Sequence, residues 1–218
     1  MAVVHIVWDW NGTLLDDLDV VVDAVSKSVV RYGVEPLDAN RYRDHFTRPV
    51  RAFYDSLFGR AVTDMEWEDL NKTFHDNYHA AVGDVGLARD AVASLQRVRA
   101  LGWSQSLLSM STHLHLVRLI ENHGIAEFFS SVNGLKSPTG DLKVDYLRSH
   151  LVESPVAPAD TVVIGDTPDD HMAAQALGVR SIAFDGGSHH RQVLDQIGVP
   201  VTASLLEAVE LVESWFAS

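Results

Sequence analysis

The 218-residue chain contains no cysteine, which excludes disulfides, thiolate nucleophiles and cysteine-ligated zinc together. Basic residues are scarce: seventeen Lys and Arg stand against thirty Asp and Glu, a formal net charge of -13. A phosphate backbone wants a basic face, so nucleic acid is not an expected partner. A small anionic substrate stays compatible, because a bound divalent cation can reverse the sign locally. No apolar run reaches the length of a membrane span. The apolar opening, Met1 to Trp8, is too short for the core of a signal peptide and has no basic segment before it. A cytoplasmic protein without membrane contact is therefore expected. The patterns GxxxxGK and GxGxxG are also missing, which removes nucleotide-loop readings. What remains is ordinary for a globular chain: 46% hydrophobic and 22% charged residues, enough for a substantial core.

The opening stretch organises the rest. Val3 to Trp8 is an apolar, β-branched run of the kind buried on both faces of a parallel sheet. It stops abruptly at Asp9 and Asn11-Gly12-Thr13. Open α/β sheets bind ligands at the carboxyl ends of such strands. Gly12 permits a tight turn there and Thr13 supplies a hydroxyl. Taken alone, the stretch reads equally well as a turn after a core strand.

Downstream, residues 17 to 32 place Leu18, Val21, Val22, Val25 and Val29 on one helical face, closing near Gly33. Helical patterns follow over Val50 to Phe58 and after a Thr63 to Glu66 capping box, with Trp67, Leu70, Phe74 and Tyr78 as the apolar stripe. No strand pattern interrupts them, so residues 16–83 are expected to form an all-helical insertion into a core made of 1–15 and 84–218. After Gly83 and Gly86 a helix over residues 88–101 leads into alternation. Strands are expected at Gln105 to Leu108, Ser131 to Asn133, Thr161 to Ile164 and Arg180 to Phe184. Helices are expected at His113 to His123, Leu142 to Leu151, Asp170 to Leu177 and Leu205 to Phe216. This grammar predicts an α/β fold, a three-layer Rossmann-like parallel sheet with helices on both faces.

Further strand ends carry polar groups. Leu107-Leu108 delivers Ser109, then Met110, Ser111 and Thr112, and Thr161 to Ile164 delivers Gly165-Asp166-Thr167-Pro168-Asp169-Asp170. Lys143 opens a helix after a Gly140-Asp141 turn. In a parallel sheet these ends converge on one edge, so Asp9, Ser109, Lys143, Asp166 and Asp170 can meet. One carboxylate can serve as nucleophile, others can hold a hard cation, a hydroxyl can bind phosphate and a lysine can offset charge.

In this order the residues resemble the four motifs of the haloacid dehalogenase-like superfamily. The chain is similar to the phosphoglycolate phosphatase-like branch, which carries a helical cap. Asp9-Trp10-Asn11-Gly12-Thr13 resembles the DxDGT loop, Leu107-Leu108-Ser109 the strand ending in Ser or Thr, Lys143 the single lysine, and Gly165 to Asp170 the GDxxxD loop. The resemblance spans essentially the whole chain. It implies a magnesium-dependent phosphatase acting on a small phosphorylated metabolite through an aspartyl phosphate, as a monomer or homodimer. Asp9 would be the nucleophile and a Mg2+ ligand. The Asn11 carbonyl and Asp166 would complete the protein ligands, with Asp170 in support. Ser109 and Lys143 would hold the phosphoryl oxygens, with Thr13 and Met110 beside the substrate. Lys136, in Gly134-Leu135-Lys136-Ser137-Pro138, resembles a variant of the lysine motif and competes with Lys143; the spacing from Gly134-Leu135 favours Lys143.

Asn11 departs from the pattern, because the family places its general acid and base there as aspartate. An amide can hydrogen-bond but cannot deliver or take a proton. The departure keeps a second reading open, a phosphate-binding or regulatory protein with little turnover. A dehalogenase fits less well, since Asp166 and Asp170 suit a cation that dehalogenation does not need. Among the remaining residues, His113 with His115, and His189 with His190, are expected at the surface rather than on a metal. His113, close to the Ser109 loop, is the candidate to replace the missing acid. Arg48 and Arg51 could meet a second anionic group of a substrate, or simply be solvated cations at a helix start. The five tryptophans are expected in packing.

Overall fold

The computed structural model describes residues 4–136, 142–152, 154 and 156–217. Six parallel strands form one sheet: β1 His5–Trp8, β2 Ser104–Thr112, β3 Val132–Leu135, β4 Thr161–Gly165, β5 Arg180–Phe184 and β6 Val201–Thr202. Their order is β3-β2-β1-β4-β5-β6. The chain therefore leaves β1 toward one side of the sheet and returns to pair β4 on the other. That reversal makes the carboxyl end of β1 the switch point where such sheets open a crevice. Every residue of β1 is buried, as its β-branched run predicts; Val3, expected in the same strand, lies outside the described residues.

Ten α-helices are described: α1 Leu18–Val29, α2 Ala39–His45, α3 Val50–Phe58, α4 Asp64–Ala81, α5 Ala91–Ala100, α6 His113–Asn122, α7 Lys143–Val152, α8 Pro168–Ala176, α9 Arg191–Asp195 and α10 Leu205–Phe216. The chain divides into two compact units, one of Met1–Asp16, Leu87–Gly187 and Arg191–Ser218, the other of Asp17–Gly86 with Ser188–His190.

In the α/β unit, successive strand residues face opposite sides of the sheet. On one side Val7, Leu108 and Val163 pack against Leu147 of α7 and Ala173 and Ala174 of α8. On the other side the Trp8 indole donates to Gln105, whose amide donates to the Leu95 carbonyl of α5 at 3.0 Å. The sheet thus carries helices on both faces. In the helical unit, Leu18, Val22, Val25 and Val29 of α1 pack with Tyr42, Phe53, Tyr54, Leu57 and Leu70. The capping box at α4 is formed, Thr63 accepting from the Glu66 N–H and Glu66 from the Thr63 N–H.

Four features differ from the sequence expectation. β2 runs on to Thr112 with a register shift between Leu108 and Thr112, so Ser109 lies within the strand and not beyond it. α2 was not anticipated, because Tyr42 is its only buried residue and one inward side chain makes no period. β6 and α9 span two and five residues, too few for a pattern. His189, expected at the surface, is buried against the Phe46 ring at 5.3 Å within the helical unit. Among the described residues no helix is long and apolar enough to cross a membrane.

Candidate active site

Asp9 leaves β1 with its N–H bonded to the Ile164 carbonyl of β4 at 2.9 Å, so the backbone of both strands fixes where its carboxylate begins. The chain then turns back, Thr13 and Leu15 both donating to the Trp10 carbonyl. Gly12 holds φ +68°, and a Cβ there would stand 2.5 Å from Asp166 Oδ2. Glycine is required on both counts. Thr13, expected at the substrate, is fully buried and donates to Asp166 Oδ1 at 3.4 Å. Its hydroxyl orients a carboxylate of the site.

Asp166 and Asp170 come from the end of β4 and the first turn of α8. Thr167 and Asp170 form a capping box, in which Asp170 Oδ2 accepts from the Thr167 N–H at 3.1 Å and its hydroxyl at 2.7 Å. The other oxygen of Asp170 pairs with Lys143 Nζ, and Lys143 also donates to Asp9 Oδ1 at 2.5 Å. Gly165 is glycine because the Asp170 carboxylate folds back over it. The turn expected at Gly140-Asp141 lies outside the described residues. Lys136, the competitor, is exposed just past β3.

Asp9, Asp166 and Asp170 are all buried, and one ligand atom of each lies within 4.8 Å of the others. Three carboxylates against one ammonium leave excess negative charge in a low-dielectric setting. Burial therefore pushes the Asp9 carboxyl up to about 8; Lys143 pulls it back, while Asp170 and Asp166 add to the rise. Burial alone would lower Lys143, yet Asp170 and Asp9 hold it above the usual range. Burial opposes the charge of Asp170 too, but Lys143 keeps that carboxyl low. A compact set of carboxylate oxygens in this state fits a hard divalent cation.

Asn11 is half-buried beside β2. Its Oδ1 accepts from the Ser111 hydroxyl at 2.6 Å and the Ser109 hydroxyl at 3.4 Å, while Ser109 Oγ accepts from the Ser111 N–H at 3.0 Å. Met110, half-buried, lies between the two serines. His113 starts α6 and accepts the Gly134 N–H at Nδ1, 3.3 Å away. Arg48 is exposed in the helical unit, and Arg51 there is bonded to the Val62 carbonyl and Asp64.

The family model for the haloacid dehalogenase-like hydrolases matches residues 6–184. The chain belongs to that family. Curated relatives of this hydrolase include a phosphoglycolate phosphatase of Vibrio parahaemolyticus, 24% identical over 91% of this chain and 88% of that one. Another, of Chromobacterium violaceum, is 25% identical over 84% and 85%. Among solved structures, a haloacid dehalogenase-like family protein from Streptococcus pneumoniae superposes with TM-score 0.81 at 20% identity, covering 96% of this chain and 98% of that one. A predicted phosphatase from Clostridium acetobutylicum gives 0.84 at 17%, covering 98% and 100%. At these identities the structural likenesses show the fold.

Ser111 is named in the sequence reading only as a polar group after Ser109; its bond to Asn11 follows from alternate residues of a strand sharing a face. Gly187 is a contributor to the hydrolase site that the sequence reading lacks: a Cβ there would run into the Asp166 carboxylate, and nothing local to Gly186-Gly187 points to a residue so distant in sequence.

Proposed function

We propose that this hydrolase is a magnesium-dependent phosphomonoesterase of small phosphorylated metabolites, working through an aspartyl phosphate. The observation that carries the reading is the Lys143 ammonium bridging Asp9 and Asp170 beside Asp166 at the sheet's switch point. The names of the curated relatives support phosphate esters as substrates. Asp9 attacks phosphorus, the bond to the leaving oxygen breaks, and that oxygen keeps the electron pair. Water then cleaves the aspartyl phosphate, which restores the carboxylate and releases inorganic phosphate. Lys143, held by two carboxylates, offsets charge on the phosphoryl group, and Ser109 offers it a hydroxyl. When bound by Asp9, Asp166 and the Asn11 carbonyl, with Asp170 in support, Mg2+ would supply further charge neutralisation at the same oxygens.

The test is phosphate release from a panel of small phosphate esters, with and without Mg2+. Turnover that requires Mg2+ and disappears in a folded Asp9→Asn variant is expected; full activity in that variant overturns the mechanism. A second reading has its own observation. The side chain of Asn11 is an amide engaged by Ser111, so it moves no proton, and a phosphate-holding protein with slow turnover would show a phosphoenzyme without sustained release.

A further inference from the structure

Lys143, Leu147 and His150 stand at i, i+4 and i+7 of α7 and share one face of that helix. His5, Val7 and Asp9 alternate along β1 and its exit and share one face of the sheet. The two series meet rung for rung in opposite directions. Lys143 bonds Asp9, Leu147 packs in one cluster with Val7, and His150 reaches His5 through Ser106 of β2. The spans correspond: four strand residues cover about 13 Å and seven helical residues about 10.5 Å. The long lysine side chain takes up the difference.

The histidine rung is a directional chain. The Asn133 amide nitrogen on β3 lies 2.9 Å from His150 Nδ1. An amide nitrogen donates, so Nδ1 accepts and the His150 proton sits on Nε2. His150 Nε2–H donates to Ser106 Oγ at 2.6 Å, and the Ser106 hydroxyl donates to His5 Nε2 at 2.7 Å. His5 Nδ1–H then donates to Ser104 Oγ at 2.7 Å. His5 and His150 are each 2% exposed and Ser106 is fully buried. Apolar contacts such as Leu147 with Val7 tolerate sliding, whereas bonds of fixed direction do not. A slip of α7 by one turn, about 5.4 Å, would break the chain and take Lys143 away from Asp9.

We propose that His150, bonded through Ser106 to His5, is a positioning residue: it sets the register of α7 on the sheet and so places Lys143 against Asp9. The proposal rests on the reading of Asp9 and Lys143 given above. It agrees with His5 being held neutral, since burial and the neighbouring His150 bring its imidazole down to about 4. From β4, Thr161 pairs with His5, and on α8 Asp170 acts on Lys143, which in turn acts on the neighbouring His171.

The experiment compares wild type with His150→Leu, which keeps bulk but no bonds, His150→Gln, whose amide can restore the bond to Ser106, and Ser106→Ala. The first measurement is acetic anhydride labelling of Lys143 read by mass spectrometry, which does not depend on turnover. Lys143 is 10% exposed and should resist labelling in wild type. Labelling at least about tenfold faster is expected in His150→Leu and several-fold faster in Ser106→Ala, with His150→Gln near wild type and the other lysines unchanged. The second measurement is kcat on p-nitrophenyl phosphate. A displacement near 1 Å can cost about 100-fold in rate, so His150→Leu should lose at least about tenfold. Added to Lys143→Met, it should lose less than about twofold more. Wild-type labelling of Lys143 in folded His150→Leu, or in Ser106→Ala should His150→Leu not fold, overturns the proposal, as does full additivity in the double variant. If even wild type turns over no phosphate ester, the assigned function fails, and labelling still decides the role of His150.

Discussion

At Asn11 the family resemblance implies a missing acid, and the structure shows what holds the amide at that position. Two serine hydroxyls donate to its Oδ1. An aspartate here would receive the same two hydrogen bonds, and bonds to a carboxylate favour its charged form. Restoring the carboxylate alone would therefore restore a poor proton donor. Asn11→Asp with Ser111→Ala should raise kcat/KM for an alkyl phosphate at least about tenfold, out of the about 10² to 10⁴ that acid–base catalysis supplies. Asn11→Asp alone should raise it less, and p-nitrophenyl phosphate, with its stable leaving anion, should respond little in either. Equal gains in the single and double variants would show that Ser111 does not control that position. Gly187 makes a different kind of prediction. Because its Cβ would displace the Asp166 carboxylate, Gly187→Ala should stay folded yet lose most of the rise in melting temperature that Mg2+ gives the wild type.

At the scale of elements, what the sequence made legible followed length and period. α3 and α10 have the expected bounds because each buries a stripe at helical spacing, and α4 is announced by its capping box. α2, β6 and α9 bury too little to leave a pattern. Asp9, Asp166 and Asp170 could be placed together from strand ends alone, since parallel topology brings those ends to one edge. The His5–Ser106–His150 chain could not, because its members are 44 and 101 residues apart and no local period links a strand histidine to a helix histidine. That chain has a consequence for acid stability. Unfolded His5 takes a proton near pH 6.5, whereas in the fold it does so only near 4. Stability is thus complete above about 6.5 and declines as pH falls toward 4, by about 3 kcal/mol from this residue. Urea unfolding at pH 7 and 4.5 should show that loss, and His5→Gln should shrink it by roughly half or more. A variant with the wild-type pH dependence would assign the acid sensitivity to other groups.

For the whole molecule, net charge and local charge have to be separated. With thirty acidic and seventeen basic residues, any salt should relieve long-range repulsion, so stabilisation by Mg2+ means little unless ionic strength is matched. At matched ionic strength the buried trio should still respond, because three carboxylates share one lysine. A ligand that binds only the folded state at about 100 times its Kd contributes about 2.7 kcal/mol. For a chain of this size that is roughly 5 to 10 °C in melting temperature. The informative variant is Asp166→Ala, and two effects of opposite sign meet there. Without metal it removes a carboxylate whose charge helps to raise Asp9, at the cost of the bonds that carboxylate makes, the long one from Thr13 among them. Relief of repulsion should win, so the metal-free variant should melt at or above metal-free wild type. With Mg2+ present the order should reverse if Asp166 is a ligand as proposed, since the variant would then gain nothing from the ion. Parallel rises in wild type and variant would mean that Mg2+ acts through the general acidity of the surface and that Asp166 does not hold it. A variant that melts well below wild type without metal would instead assign the Asp166 carboxylate a structural role, through Thr13 and the turn at Gly12.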